Sequence, residues 1–63
     1  MYNVAYDTSG GVKRYCKCNM PLHEAERQLA RFKARYLHAD GTPRTYPNGK
    51  GVYDIRNPRI IRV

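Results

Sequence analysis

Acidic residues are scarce in this chain. Five Asp and Glu stand against twelve Lys and Arg, giving a formal net charge of +7 and a sequence pI of about 9.9. In so small a body that is a strong positive field, and it favours an acidic partner: nucleic acid, an anionic membrane or an acidic protein groove. The acids present are Asp7, Glu24, Glu26, Asp40 and Asp54. None of them forms a pair placed for general acid–base work.

Cysteine is scarcer still. Cys16 and Cys18 are the only two. A secreted mini-protein of this size carries four or more, widely spaced, and a Cys-x-Cys pair closes too small a loop to staple a fold. Reduced thiols in a cytosolic protein are expected. Long apolar runs are absent too, since nothing approaches the roughly 18 residues that span a bilayer. No basic start followed by an apolar stretch marks a secretory signal, so the expected location is cytoplasmic, with no membrane partner. With 63 residues the expectation is a single domain over residues 1–63. Its core is small and its stability marginal, and a monomer or a small homo-oligomer is expected.

What the chain does contain is organised around Leu22 to Tyr36. Leu22, Ala25, Leu29, Phe32 and Tyr36 recur at steps of three and four, so they share one side of a helix. Arg27, Arg31, Arg35 and His38 fall on the other side. Pro21 suits the first helical position, where its missing N–H costs nothing. An alternative start caps the helix at His23 with Glu26 three residues on. The stop is expected near Ala39, with Gly41 in the left-handed conformation and Pro43 beyond it.

Strands flank this helix. Tyr2, Val4 and Tyr6 alternate with Asn3, Ala5 and Asp7, the period of a half-buried strand over Met1 to Asp7. Asp7-Thr8-Ser9-Gly10-Gly11 is a turn. A second strand runs from Val12 to Cys18, with Val12, Arg14, Cys16 and Cys18 on one face and Lys13, Tyr15 and Lys17 on the other. Thr42 to Gly51 reads as an irregular loop with Arg44, Tyr46 and Lys50 exposed. The last strand is expected over Val52 to Val63, with Tyr53, Ile55, Ile61 and Val63 on one parity. Asn57-Pro58 interrupts it, which calls for an edge position or a bulge.

The order β-β-α-β predicts an α+β fold, a three-stranded, mostly antiparallel sheet packed on one helix. Placing the third strand beside the first makes the sheet all antiparallel, and this arrangement is preferred. Placing it beside the second would give a parallel pair with a crossover helix.

Three kinds of chemistry are argued against by the residues. Cys16, Cys18, His23 and His38 are the zinc-ligand types present, but the histidines lie at opposite ends of a helix about 22 Å long, so one ion cannot hold both. The two cysteines then read as small core residues, and no metal or cofactor is expected. A cysteine nucleophile on an apolar face in a tiny core has no pocket. Gly49-Lys50-Gly51 lacks the strand and helix that would make it a phosphate loop. The protein is therefore expected not to be an enzyme.

The positive signal is the basic surface. Arg27, Arg31 and Arg35 follow i, i+4 spacing; Lys13 and Lys17 lie on the hairpin, Arg44 and Lys50 in the loop, and Arg56, Arg59 and Arg62 on the last strand. Tyr15 and Tyr46 are interleaved and suited to stacking on bases. The partner-binding set is thus Arg27, Arg31, Arg35, Arg44, Tyr46, Lys50, Lys13, Lys17 and Tyr15. No helix-turn-helix, zinc-finger, RNP or KH signature accompanies it.

A small, basic, motif-free domain beginning at Met1 with six tyrosines resembles the accessory proteins of bacteriophages, anti-CRISPR proteins among them. That resemblance implies a phage-type inhibitor, a rigid wedge that blocks a host protein or nucleoprotein complex, such as a CRISPR effector, by stoichiometric binding in the host cytoplasm. It is the first expectation. The alternative is a direct DNA- or RNA-binding protein that uses the basic helix face and the loop. A structural module pairing through an edge strand is a third.

Overall fold

The computed structural model describes all 63 residues. Strand β1 (Tyr2–Asp7), strand β2 (Lys13–Met20), helix α1 (Leu22–Tyr36) and strand β3 (Arg56–Arg62) follow in chain order. The sheet runs β2-β1-β3, and both pairings are antiparallel. This is the preferred all-antiparallel α+β arrangement, with β1 in the centre. Val4 of β1 is fully buried beneath the helix, together with Met20 and with Ala25 of α1. Ala25 has the smallest side chain on the apolar face of the helix, and it is fully buried against the sheet. Tyr2, Cys16, Leu29 and Ile60 pack around this cluster half-buried.

Only six residues are buried altogether, so the core alone is slender. A row of rings extends it. Tyr6 stacks on Phe32 at 5.3 Å between centroids, Phe32 meets Tyr36 at 4.9 Å, Tyr36 meets Tyr53 at 4.8 Å, and Tyr53 meets Tyr46 at 4.6 Å. These separations lie in the range where aromatic pairs add about 0.5–1.5 kcal/mol beyond area burial. The row ties sheet, helix and the segment after the helix into one body.

The helix forms over the expected stretch, but both its ends differ from expectation. Pro21 is the N-cap itself, in extended conformation, and Leu22 is the first helical residue. No capping box forms at His23. Pro21 has no N–H for an acid at the third position to reach, so Glu24 turns to its own helix face instead. Its carboxylate accepts a hydrogen bond from the Gln28 amide at 3.0 Å and pairs with Arg27 at 3.5 Å. Leu22, assigned to the apolar face, is exposed. At the other end α1 stops at Tyr36, before the expected Ala39. Leu37 takes an extended conformation that buries its side chain, and a turn over His38 to Gly41 follows, with the Gly41 N–H donating to the His38 carbonyl. Gly41 has φ +90°, the left-handed role expected of it.

The last segment requires a larger correction. Val52 to Ile55 do not belong to the sheet; β3 begins at Arg56. Val52 pairs instead with Thr45, and the Tyr53 N–H donates to the Arg44 carbonyl at 3.0 Å. Residues 44–53, expected as an irregular loop and the start of a strand, therefore close a short hairpin. Asn57 and Pro58 form a bulge in an edge strand, because two residues there face Tyr6 alone. One extra residue reverses every later side chain. So Ile60 lies opposite Val4 and packs on the core, whereas Ile61, expected inside, pairs with Asn3 on the outer face.

Strand β2 is corrected in the same way. It carries two bulges, one at Cys16 and one where Cys18 and Asn19 face Asn3. Asn19 has φ +59°, and its N–H donates to Asn3 Oδ1 at 2.9 Å. Cys16 and Lys17 consequently share the place opposite Val4, towards the helix, as adjacent residues of such a bulge do. Lys17 was expected on the solvent face and Cys18 in the core. The bulges exchange them: Cys18 is exposed, and only Cys16 packs on the core.

Candidate nucleic-acid interface

The exchange brings Lys17 beside the helix. A groove of about 670 Å³ runs between β2 and α1, and Lys17, Gln28, Arg31 and Arg35 stand along it. Its floor includes Val4, Cys16, Phe32 and Tyr36. Arg31 and Arg35 reach it because i, i+4 spacing puts them on one helical stripe. Arg35 also lies over the Tyr36 ring, with its guanidinium carbon 5.4 Å from the centroid, a cation–π distance.

A second groove of about 610 Å³ adjoins the first, and Cys16, Phe32 and Tyr36 line both. It is walled by the rings of Tyr6, Tyr46 and Tyr53, with Arg14 at its side and Tyr15 at its rim. Arg14 is directed there by its register, because it pairs with Tyr6 on the helix side of the sheet. Tyr46 and Tyr53 come together because the short hairpin closes: the Tyr46 N–H donates to the Gly51 carbonyl at 2.9 Å, and the Gly49 N–H donates back to Tyr46. Gly51 has φ +130°, a conformation that side-chain-bearing residues rarely take.

The electrostatics are one-sided. Asp54 is the only acid at either groove, and its two oxygens accept from the Ser9 N–H at 2.8 Å and the Ser9 hydroxyl at 3.2 Å. Arg27 and Arg59 are the only cations in ion pairs, with Glu24 and Asp7 respectively. Lys17, Arg31, Arg35 and Arg14 therefore face the grooves without a carboxylate. At Cys16 burial pushes the thiol pKa up, and the neighbouring Cys18 adds to this, so Cys16 is held as an uncharged thiol on the groove floor.

The structure gathers some of the predicted binding residues and leaves others apart. Lys17, Arg31 and Arg35 share the first groove, and Tyr15 and Tyr46 the second. Arg27 lies outside both, paired with Glu24. Arg44 is turned away beside His38 and Asp40, and its Nε donates to the Leu37 carbonyl at 2.9 Å, so it locks the helix end to the hairpin. Lys50 is on the exposed turn, where its N–H donates to Asn48 Oδ1. Lys13 pairs with Asp7 on the sheet face away from the helix. Arg14 and Tyr53 also line the second groove, though no sequence pattern marks them as binding residues. Strand parity places Arg14 on the helix side, but Tyr53 becomes a groove wall only through the hairpin.

No three His, Cys, Asp or Glu side chains converge anywhere. No helix is long and apolar enough to cross a membrane. Comparison with protein-family models, with curated proteins and with solved structures finds no match to this chain.

Proposed function

We propose that this protein is a non-enzymatic nucleic-acid-binding protein that takes its partner in the two-part groove between β2, α1 and the 44–53 hairpin. One observation carries the reading: unpaired cations and aromatic rings meet in that groove, and Arg35 over Tyr36 belongs to both sets. Phosphates need cations that no carboxylate already holds, and bases offer π-faces that rings accept. The sequence alone puts an inhibitor of a host complex first, because its charge is dispersed over every element. The grouping of Lys17, Arg31 and Arg35 with the rings reverses that order.

The test is a binding titration with mixed-sequence DNA and RNA, single-stranded and duplex, repeated over a range of salt. Binding that weakens steeply with salt is the expected result. No binding to any of the four at low salt would sink the proposal.

The second reading is the phage-type inhibitor of a host protein or nucleoprotein complex. Its support is the charge outside the groove: Lys13, Lys50, Arg56 and Arg62 are exposed on other sides of the body. A wedge seated in an acidic or nucleic-acid channel would use several sides at once. Recovery of a stoichiometric protein partner from nuclease-treated lysate is expected in that case, and recovery of none counts against it.

A further inference from the structure

Resting on the nucleic-acid reading above, we infer that the groove selects a single strand over a duplex, with a base stacked on Tyr46 and the adjoining phosphates on Lys17, Arg31 and Arg35. The argument starts from which surfaces can meet. In a duplex the bases are stacked on one another and offer only their edges in the grooves. The rings here line a recess whose floor, Phe32 and Tyr36, is half-buried between helix and sheet. An edge-presenting duplex gives those rings nothing to stack on. An unpaired base presents a π-face and can enter.

Tyr46 is the ring best placed to take it. It ends the row that begins at Tyr6, so it has a ring neighbour in Tyr53 on one side only. It is 39% exposed, so part of the ring faces solvent. Tyr53 behind it is held edge-on by Tyr36, which fixes the platform before any ligand arrives. Arg14 stands at the same recess, and Arg35 lies over Tyr36, which lines both grooves, so the ring and the cations lie on adjoining surface. Charge complementarity fits a strand's backbone: four unpaired cations line that surface, and the one acid there is held by Ser9.

The experiment uses the whole chain and dye-labelled uridine oligomers, ribo and deoxyribo, of about 12 nucleotides, within the ~4–16 typical of single-strand sites. Each is compared with its duplex with the complementary strand, by anisotropy. Tyrosine emission gives a second readout, because the chain has six tyrosines and no tryptophan. At least one single strand is expected to bind more than about tenfold tighter than its duplex and to quench the tyrosines. Tyr46→Ala should weaken that single strand by roughly 5- to 150-fold and leave duplex binding unchanged. Four cations at about −0.7 each give a salt slope near −3, and Arg31→Ala should lower its magnitude by about 0.7. Lys33→Ala, exposed on α1 and outside both grooves, should change affinity less than twofold, and melting curves verify that each variant folds. Duplex binding as tight as single-strand binding, with Tyr46→Ala without effect, would overturn the inference and leave the nucleic-acid reading standing. No binding to any oligomer would defeat both.

Discussion

The ring of Tyr36, at the last position of α1, meets the ring of Tyr53 edge-on, with centroids 4.8 Å apart. Through this contact the 44–53 hairpin is held against the helix, and Phe32 continues the row to Tyr6 in the central strand. Phe32 thus stands in the middle, with a ring on each side. Replacing Phe32 with Ala is expected to cost about 2–4 kcal/mol, below the range for a fully buried Phe because this one is half-buried. Urea denaturation measures it. A loss under about 1 kcal/mol would show that the ring row does not hold the body together.

The two bulges in β2 make a chemical prediction. Cys18 is exposed, whereas Cys16 packs on the core and burial raises its thiol pKa. The thiolate is the reactive species, so both access and ionisation slow Cys16. Limited alkylation in mildly alkaline buffer, followed by peptide mass spectrometry, should label Cys18 first. Equal labelling at both positions would mean that Cys16 and Lys17 do not sit together opposite Val4.

The parts of this fold that obey a single period were legible in the sequence. The helix from Leu22 to Tyr36 and the strand from Tyr2 to Asp7 repeat their patterns without interruption, so their existence and most of their core-facing residues follow from the pattern, whereas the helix end at Tyr36 and the exposure of Leu22 do not. The strand residues that face the opposite way from their simple alternation each follow an irregularity that adds one residue. Cys16 reverses Lys17 and Cys18, and Asn57-Pro58 reverses Ile60 and Ile61. Asn57-Pro58 announced its bulge through the proline, whereas nothing about Cys16 marks it as one. The candidate interface was legible as residue types but not as a place. Arg31 and Arg35 were set by helical spacing, but Lys17 joined them only through the bulge, and Tyr53 joined Tyr46 only through a hairpin that depends on long-range closure.

Two acids give stability a pH dependence. The Gln28 amide, donating to Glu24, holds that carboxyl below its usual pKa, with Arg27 adding to the effect. The Thr42 hydroxyl and N–H do the same for Asp40 in the turn after the helix. A carboxyl depressed in the folded state binds its proton more readily when unfolded. Its contribution is therefore full above the unfolded values, about 4.3 for Glu and about 3.9 for Asp, and is lost as pH falls through the lower folded values. Both side chains accept their bonds near the surface, so the slope should be shallow. Urea midpoints measured downward from pH ~5 should fall, and Glu24→Gln should flatten part of that fall because a Gln carbonyl still accepts from Gln28 but does not titrate. An identical slope in the variant would remove Glu24 from the account.

The bulge in β3 depends on one backbone conformation. Asn57 has φ +52°, in the left-handed region where most side chains clash with the following carbonyl and Asn and Gly are tolerated. Its carbonyl accepts from Arg59 Nη1 at 2.9 Å, and the same guanidinium contacts both oxygens of Asp7, at 3.1 and 3.2 Å. The left-handed turn, the carbonyl and the ion pair thus fix which of Ile60 and Ile61 faces the core. Asn57→Gly keeps the conformation accessible and should change stability by no more than a few tenths of a kcal/mol. Asn57→Ala should cost about 1–2 kcal/mol from the left-handed penalty, and Asn57→Val more, because a β-branched side chain is stiffer there. A strand that slipped to remove the bulge would instead carry Ile60 outward, and a nuclear Overhauser contact between Ile60 and Val4 distinguishes the two. If Ala and Gly at position 57 prove equally stable, the left-handed turn is not what sets the register of β3.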